Sequence, residues 1–460
     1  MTMPQVRSPA WVCPICGYVH YGPEPPDECP LCGAPGDTFG SEEERQLAQP
    51  APASAAAPVQ VVIVGAGIAG VSAAEAVRKE APQAEITLIS GESYLPYYRL
   101  NLTRYLAGEV SESQLPLHPA SWYGENRIQL LRGSEVQAID LAQKELSVGT
   151  ARRLTFDKLI LTLGANPARP PLPGGGRENV TTLRTVTDAD FILDACARGQ
   201  KCVCIGGGFL GLETAAALRR RGAEVTVLEH QPRLLPRHLN EAASALFTER
   251  IAALGISLRC GAQTRELTGD DMVRGVALED GTLLPADLVV ISAGVRSNVG
   301  LARQAGLLVK QGIVVDSHMQ TSHPYVWAAG DVADHQDRLY GLWNPARLQG
   351  TAAGLNVAGR KTEFSPLPRS ATLKVLGVDL FTIGQIARED QADRIVENRS
   401  DGTYFGFVFR HQFLTGAILL GDASLSPKAK KAIEEHCDCS PLLRKELQVS
   451  DVLEYLEVEV

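Results

Sequence analysis

Four cysteines and two glycine-rich turns are the residues whose spacing most directly implies chemistry. Cys13 and Cys16 form one C-x-x-C, and Cys29 and Cys32 form a second, with twelve residues between them. Two such turns, each followed by a glycine (Gly17, Gly33), can wrap one tetrahedral metal with four thiolates. A structural zinc and a one-iron redox centre both accept that cage. Trp11, Tyr18, Tyr21 and Phe39 surround it with aromatic bulk that would restrict water and tune a potential, which favours iron over zinc. A segment this short has little core of its own, so its folding should depend on the metal. Its charged residues, Arg7, Glu24, Asp27, Glu28 and Asp37, sum to −3, an acidic face suited to a basic one.

The first glycine turn follows V-V-I-V at residues 61–64, a run that predicts a buried parallel strand. Gly65, Gly67 and Gly70 then give G-x-G-x-x-G, and the small-residue run 71–77 predicts the helix after it. One glycine makes the tight turn, one lets backbone approach a pyrophosphate, and one lets helix pack on strand. The helix N-terminus offers N–H groups and a positive dipole end to phosphate. A second strand is expected over 84–90, and Glu92 just beyond it is the candidate for a ribose hydroxyl, with a solvated loop acid as the plain alternative. In the Tyr-rich loop 95–104, Arg99 and Arg104 could bond a flavin or its phosphates; ordinary surface arginines would look the same.

The theme repeats after a Pro/Gly-rich connector at 167–176. Gly206, Gly208 and Gly211 follow the strand starting at Lys201 and open an Ala/Leu-rich helix, and the next strand, 224–229, ends in Glu229, 23 residues after Gly206. That acid suits both hydroxyls of an adenosine ribose and repels a 2′-phosphate, so NADH is preferred over NADPH, although Arg233 nearby argues the other way. Cys202 and Cys204 alternate along one strand and are expected to be core thiols. Other motifs end further strands: T-x-G-A with Thr162 and Gly164, A-G-V-R-x-N with Gly294, and Gly330-Asp331, whose acid could accept from a ribityl hydroxyl. Trp343, Ala346, Gln349 and Gly350 lie on a predicted helix, and 404–410 and 413–420 alternate like strands before a closing charged helix. Cys437 and Cys439 are expected to be exposed thiols of no particular role.

These elements need room, and 460 residues with 45% hydrophobic and 21% charged composition provide several cores. The net charge of −9 argues against nucleic acid. No apolar run approaches a membrane span and no secretory signal is visible, so no membrane role and a cytoplasmic location are the expectations. The domains are expected as 1–40 (metal cage), 41–58 (Ala/Pro linker), 59–170 with 291–362 (first dinucleotide domain), 171–290 (second) and 363–460 (C-terminal). Fully extended, the linker would reach on the order of 50 Å.

The cage segment, with C-x-x-C-G-Y and C-P-x-C-G, resembles the short rubredoxin at the end of rubrerythrins. Two dinucleotide turns with T-x-G-A between them and A-G-V-R-x-N and A-x-G-D after them resemble the two-domain FAD/NAD(P)H flavoprotein reductases over about residues 59–440. L-P-Y-Y-R and L-T-R look like the flavin loop of NADH:rubredoxin oxidoreductases, assimilatory nitrite reductases and oxygenase-coupled ferredoxin reductases. The resemblance implies an α/β fold: two Rossmann-like domains and a small α+β C-terminal domain, preceded by a rubredoxin-like domain. It assigns FAD to Gly65, Gly67, Gly70, Glu92, Arg99, Arg104, Thr162, Gly164, Gly330 and Asp331. It assigns NADH to Gly206, Gly208, Gly211, Glu213, Glu229 and Gly294, with Glu213 near the nicotinamide. Residues 33–195 contain no cysteine, so the catalytic thiols of the family's disulfide and peroxide reductases have no counterpart there. The implied activity is NADH:rubredoxin oxidoreduction: hydride to FAD, single electrons to the fused Fe(Cys)4 centre, then an external acceptor. No catalytic side chain is required for that path. A flavodiiron protein or superoxide reductase, in oxygen or superoxide detoxification, is the implied acceptor, and a homodimer the implied assembly. The alternative is a ferredoxin-type reductase or NADH oxidase whose cage is a zinc docking module.

Overall fold

The computed structural model describes residues 10–13, 17–31, 34–41, 58–198, 200–373, 377–400, 402–444 and 446–460. Cys16, Cys32 and linker residues 42–57 lie outside the described residues. The chain divides into two compact units: 1–100 with 112–166 and 295–366, and 101–111 with 167–294 and 367–460. The first unit thus includes the N-terminal cage segment, and the second joins the second glycine turn to the C-terminal residues.

In the first unit a five-stranded parallel sheet runs Val326–Ala328, Lys158–Leu161, Gln60–Val64, Glu85–Ile89, Ile128–Leu131 in spatial order. Its central strands are apolar on both faces, and Ile63, Leu88, Leu159 and Ile160 are fully buried. Helix Ile68–Glu80 packs on helix Trp343–Val357. The packing is backbone-close: a Cβ on Gly350 would overlap the Ala69 carbonyl, and one on Gly354 the Ala73 carbonyl. At the N-terminus, Val19–Tyr21, Ala10–Val12 and Gly40–Ser41 make a small antiparallel sheet over a core of Cys13, Cys29, Ala34 and Phe39.

In the second unit the parallel sheet runs Val180–Thr181, Leu288–Ile291, Lys201–Ile205, Glu224–Glu229, Ser257–Cys260. Cys202 and Cys204 are buried in its central strand. The C-terminal residues form a five-stranded antiparallel sheet, with Leu380–Gly384, Phe413–Leu420 and Thr403–Arg410 at its centre and helices Ser426–Glu434 and Val449–Glu459 packed into the same core. The exposed-thiol expectation for Cys439 is corrected here. Its backbone N–H donates to Gln412 O (2.8 Å), which draws the side chain in among Phe409, Leu414 and Leu442 at 1% exposure. Cys437 is half-buried. Among the described residues, no helix is long and apolar enough to cross a membrane.

Candidate functional site

The first glycine turn forms where strand Gln60–Val64 meets helix Ile68–Glu80. Gly65 sits at φ +105°, and a Cβ there would strike the Thr162 carbonyl, so this is a turn only glycine fits. A Cβ on Gly70 would strike the Gly65 carbonyl, whereas Gly67 faces open space at the N-cap with no side chain capping the helix. A helix opening without a cap, over a glycine with nothing above it, is a cradle for an anionic group that brings its own acceptors. The Thr162 hydroxyl donates to Gly65 O (2.7 Å) and Val64 O (3.1 Å), bracing the turn from the neighbouring strand.

T-x-G-A and A-G-V-R-x-N are tied together: the Asn298 N–H donates to Gly164 O (3.0 Å) and its amide to Leu163 O (2.9 Å). Ser297 Oγ donates to Asp331 O (2.7 Å), and the Gly330 N–H donates to Gln349 Oε1 (2.9 Å). Gln349 is 1% exposed, and among the described residues its Nε2 has no hydrogen-bond partner. A buried amide left unsatisfied beside the cradle is a donor set for a ligand group. Glu92 and Arg99 form a charge network: Arg99 Nη2 donates to Glu92 Oε1 (2.6 Å), and the Tyr97 hydroxyl donates to Glu92 Oε2 (2.8 Å). Burial works against the Arg99 charge, but the fields of Tyr97, Glu92 and Asp331 outweigh it and hold its pKa above the ordinary value. Arg99, Glu92 and Asp331 therefore share one neighbourhood. Arg104 belongs to the other unit, where its Nε donates to Glu109 Oε2 (3.1 Å).

The second turn has the same construction. Gly206 is at φ +118° against the Ser292 carbonyl, Gly211 packs on the Gly206 carbonyl, and Gly208 opens an uncapped helix, Phe209–Arg220, into open space. Glu229 is fixed by two backbone donors: the Gly207 N–H to Oε2 and the Gln231 N–H to Oε1, both 2.7 Å. Arg233 is committed to the carbonyls of Leu239 and Pro236. Gly294 is at φ +93° with open space above it. Glu213 accepts from the Thr103 hydroxyl (3.1 Å) and keeps part of its surface open, yet it is packed closely enough that burial pushes its carboxyl up to about 7 against that hydrogen bond.

Of the four cage cysteines, Cys13 and Cys29 are described. Both are buried and lie in one small core. Each begins a tight knuckle: Gly17 N–H donates to Cys13 O (2.9 Å) with Gly17 at φ +77°, and Cys29 N–H donates to Ala34 O (2.7 Å). Two buried thiols from two such turns suit a soft metal.

Two strand–glycine turn–helix halves, one with Gly330-Asp331 and the other with a pinned acid after its second strand, define a two-dinucleotide-fold oxidoreductase. The chain belongs to the pyridine nucleotide-disulphide oxidoreductase family, matched over residues 59–350; residues 370–437 match the rubredoxin NAD+ reductase C-terminal domain, and residues 11–40 the rubrerythrin rubredoxin-like domain. A nitrite reductase [NAD(P)H] of Bacillus subtilis is 34% identical over 83% of the chain, which spans about half (48%) of that relative's length. A rubredoxin-NAD(+) reductase of Pseudomonas putida is 31% identical over 74% of this chain and 90% of its own. The crystal structure of NADH:rubredoxin oxidoreductase from Clostridium acetobutylicum superposes with a TM-score of 0.72 at 27% identity, covering 86% of this chain and 99% of that one.

Proposed function

We propose that this chain is an FAD-dependent NADH oxidoreductase of the rubredoxin-reductase type that delivers electrons to its own N-terminal four-cysteine centre and from there to an external acceptor protein. The observation that carries the reading is the presence, in one compact unit, of the first dinucleotide cradle and a cysteine-knuckle module. A carrier built into the reductase needs no separate encounter for the first transfer.

In this reading Gly65, Gly67 and Gly70 let the FAD pyrophosphate reach the start of helix Ile68–Glu80, with Thr162 bracing the turn. Gln349 offers its Nε2–H, Asp331 takes a ribityl hydroxyl, and Arg99 holds the Glu92 carboxylate in place for the adenosine ribose. Gly206, Gly208 and Gly211 present the second helix start to NADH. Glu229, held by two N–H groups, keeps its remaining lone pairs for the ribose hydroxyls. With Arg233 occupied by carbonyls, a 2′-phosphate would meet an acid and no available guanidinium at that position, which supports NADH over NADPH. FAD, when bound, would take hydride from NADH and return electrons singly to a one-electron centre. Cys13, Cys16, Cys29 and Cys32 would supply four thiolates, and the aromatic cover favours iron in them.

The test is metal analysis with an anaerobic NADH titration of the full chain. The reading expects iron, flavin bleaching before the iron charge-transfer band, and an end point of about 1.5 NADH per chain for a two-electron and a one-electron centre. Zinc in the cage, with an end point of about 1.0, would overturn the electron-carrier role, because zinc has no redox chemistry.

A further inference from the structure

The contacts that seat the N-terminal module are specific. Tyr18, the residue after the first knuckle, lies 5.4 Å (ring centroids) from Tyr98, and Tyr98 stacks on Trp343 at 5.7 Å and 30°. The Val19 N–H donates to the Tyr98 hydroxyl (3.2 Å), and Tyr21 Oη lies 3.0 Å from His118 Nδ1. His118 is itself held: its Nε2 is 2.7 Å from Glu75 Oε1, and its ring stacks on Trp122 at 3.9 Å and 7°. Gly17 is in contact with the Arg347 side chain, so closely that a Cβ on Gly17 would overlap it.

The receiving face is built rather than incidental. Tyr98 is 4% exposed, and its backbone is clamped: Tyr98 N–H donates to Leu115 O (2.9 Å) and Leu117 N–H to Pro96 O (2.8 Å), which brings His118 up beside it. Trp343 and Arg347 are four apart on helix Trp343–Val357 and so share a face. The same helix carries Gln349 and Gly350, and Tyr98 precedes Arg99. Tyr98 is thus next to Arg99, and Arg347 is two residues from Gln349.

We infer that Tyr98, His118, Trp343 and Arg347 form an intrachain dock for residues 17–21, with Tyr98 as the positioning residue that holds the first cysteine knuckle against the first-cradle unit. The inference rests on the proposed function for its purpose, but the dock itself is a matter of contacts. Occupied in cis, this face leaves an external acceptor protein to be served through the module rather than at the same surface.

Hydrogen exchange on the full chain tests the dock, and stopped-flow reduction by NADH tests its purpose. Tyr98→Phe keeps the ring stack and removes the acceptor, so the Val19 amide should exchange about 5-fold faster. Tyr98→Ala also removes the stack and should raise exchange across residues 17–21 on the order of 10-fold or more. It should slow bleaching of the iron band, relative to flavin reduction, by a similar factor as the docked population falls. Tyr21→Phe, a change on the module side, should loosen the same peptide without disturbing the 96–117 clamp. Unchanged exchange over 17–21 in both Tyr98→Ala and Tyr21→Phe would overturn the dock, whatever metal the cage holds. Faster exchange with an unchanged iron-to-flavin rate ratio would overturn its role in transfer. Zinc in the cage would overturn the proposed function while leaving the exchange result to decide the dock.

Discussion

Glu229 is an acid whose two oxygens each accept a backbone N–H, so its position is set before any ligand arrives. Replacing it with alanine should raise KM for NADH roughly 10-fold or more with little change in kcat, the loss of one or two charge-assisted hydrogen bonds. Steady-state kinetics with ferricyanide as acceptor would check this, and an unchanged KM would remove Glu229 from the ribose site. Glu213 makes a prediction of opposite character. Burial raises its folded pKa to about 7 from 4.5, so the folded chain binds the proton more tightly than the unfolded one. This group's contribution to stability therefore falls as pH rises from about 4.5 to 7 and levels off above that. Glu213→Gln should flatten the fall, read as a smaller difference between unfolding temperatures at pH 5 and pH 8 than the parent shows. The place of Glu229 at the end of its strand was legible because its distance from Gly206 is set by one strand–helix–strand unit. The Tyr97–Glu92–Arg99 network was not, since hydrogen-bond pairing across a loop leaves no period in the sequence. Gln349 stood out only as a helix position; its partner, Gly330, is nineteen residues away.

At the scale of elements, the contact between helices Ile68–Glu80 and Trp343–Val357 links the first glycine turn to the segment that carries Gln349. The strands and both turn helices could be read from apolar runs and glycine spacing. The pairing of these two helices could not, because the residues in contact lie more than 270 positions apart. What could have been noticed is the Gly350–Gly354 spacing, which puts two bare positions on one helix face opposite the Ala69 and Ala73 backbone. Gly350→Ala would force the helices apart and should cost about 1–3 kcal/mol, with weakened flavin retention. Thermal unfolding together with fluorescence of released flavin would measure both, and a variant matching its parent in both would mean that the interface yields. The Cys439 correction belongs at this scale too: a C-x-C in a polar stretch reads as surface until its backbone hydrogen bond to Gln412 is known.

For the whole molecule, the described parts of the chain differ greatly in how much core supports them. The C-terminal core alone gathers eighteen buried residues, whereas the N-terminal module has four, two of them cysteines. A core of that size cannot offset the ordering entropy of some thirty residues; in the proposed reading a metal and the dock would supply the balance. The module was legible in sequence as a rubredoxin-like segment, since C-x-x-C spacing is local; its seat on Tyr98 and His118 was not, and the acidic charge pointed to a basic partner where the described contacts include tilted and edge-on aromatic contacts, hydrogen bonds and Arg347. Cys29→Ser should therefore act on one part of the chain. It removes a proposed ligand from the cage and a buried residue from the module's core, and on the proposed reading the module should lose its metal and its exchange protection over residues 17–31 together. Neither sheet core contains Cys29, so flavin content and NADH-driven ferricyanide reduction should stay within about 2-fold of the parent. Metal analysis, exchange and kinetics on one preparation distinguish the outcomes. Loss of metal with protection intact would mean the dock alone folds the module, and loss of flavin would mean the first cradle depends on the module being seated.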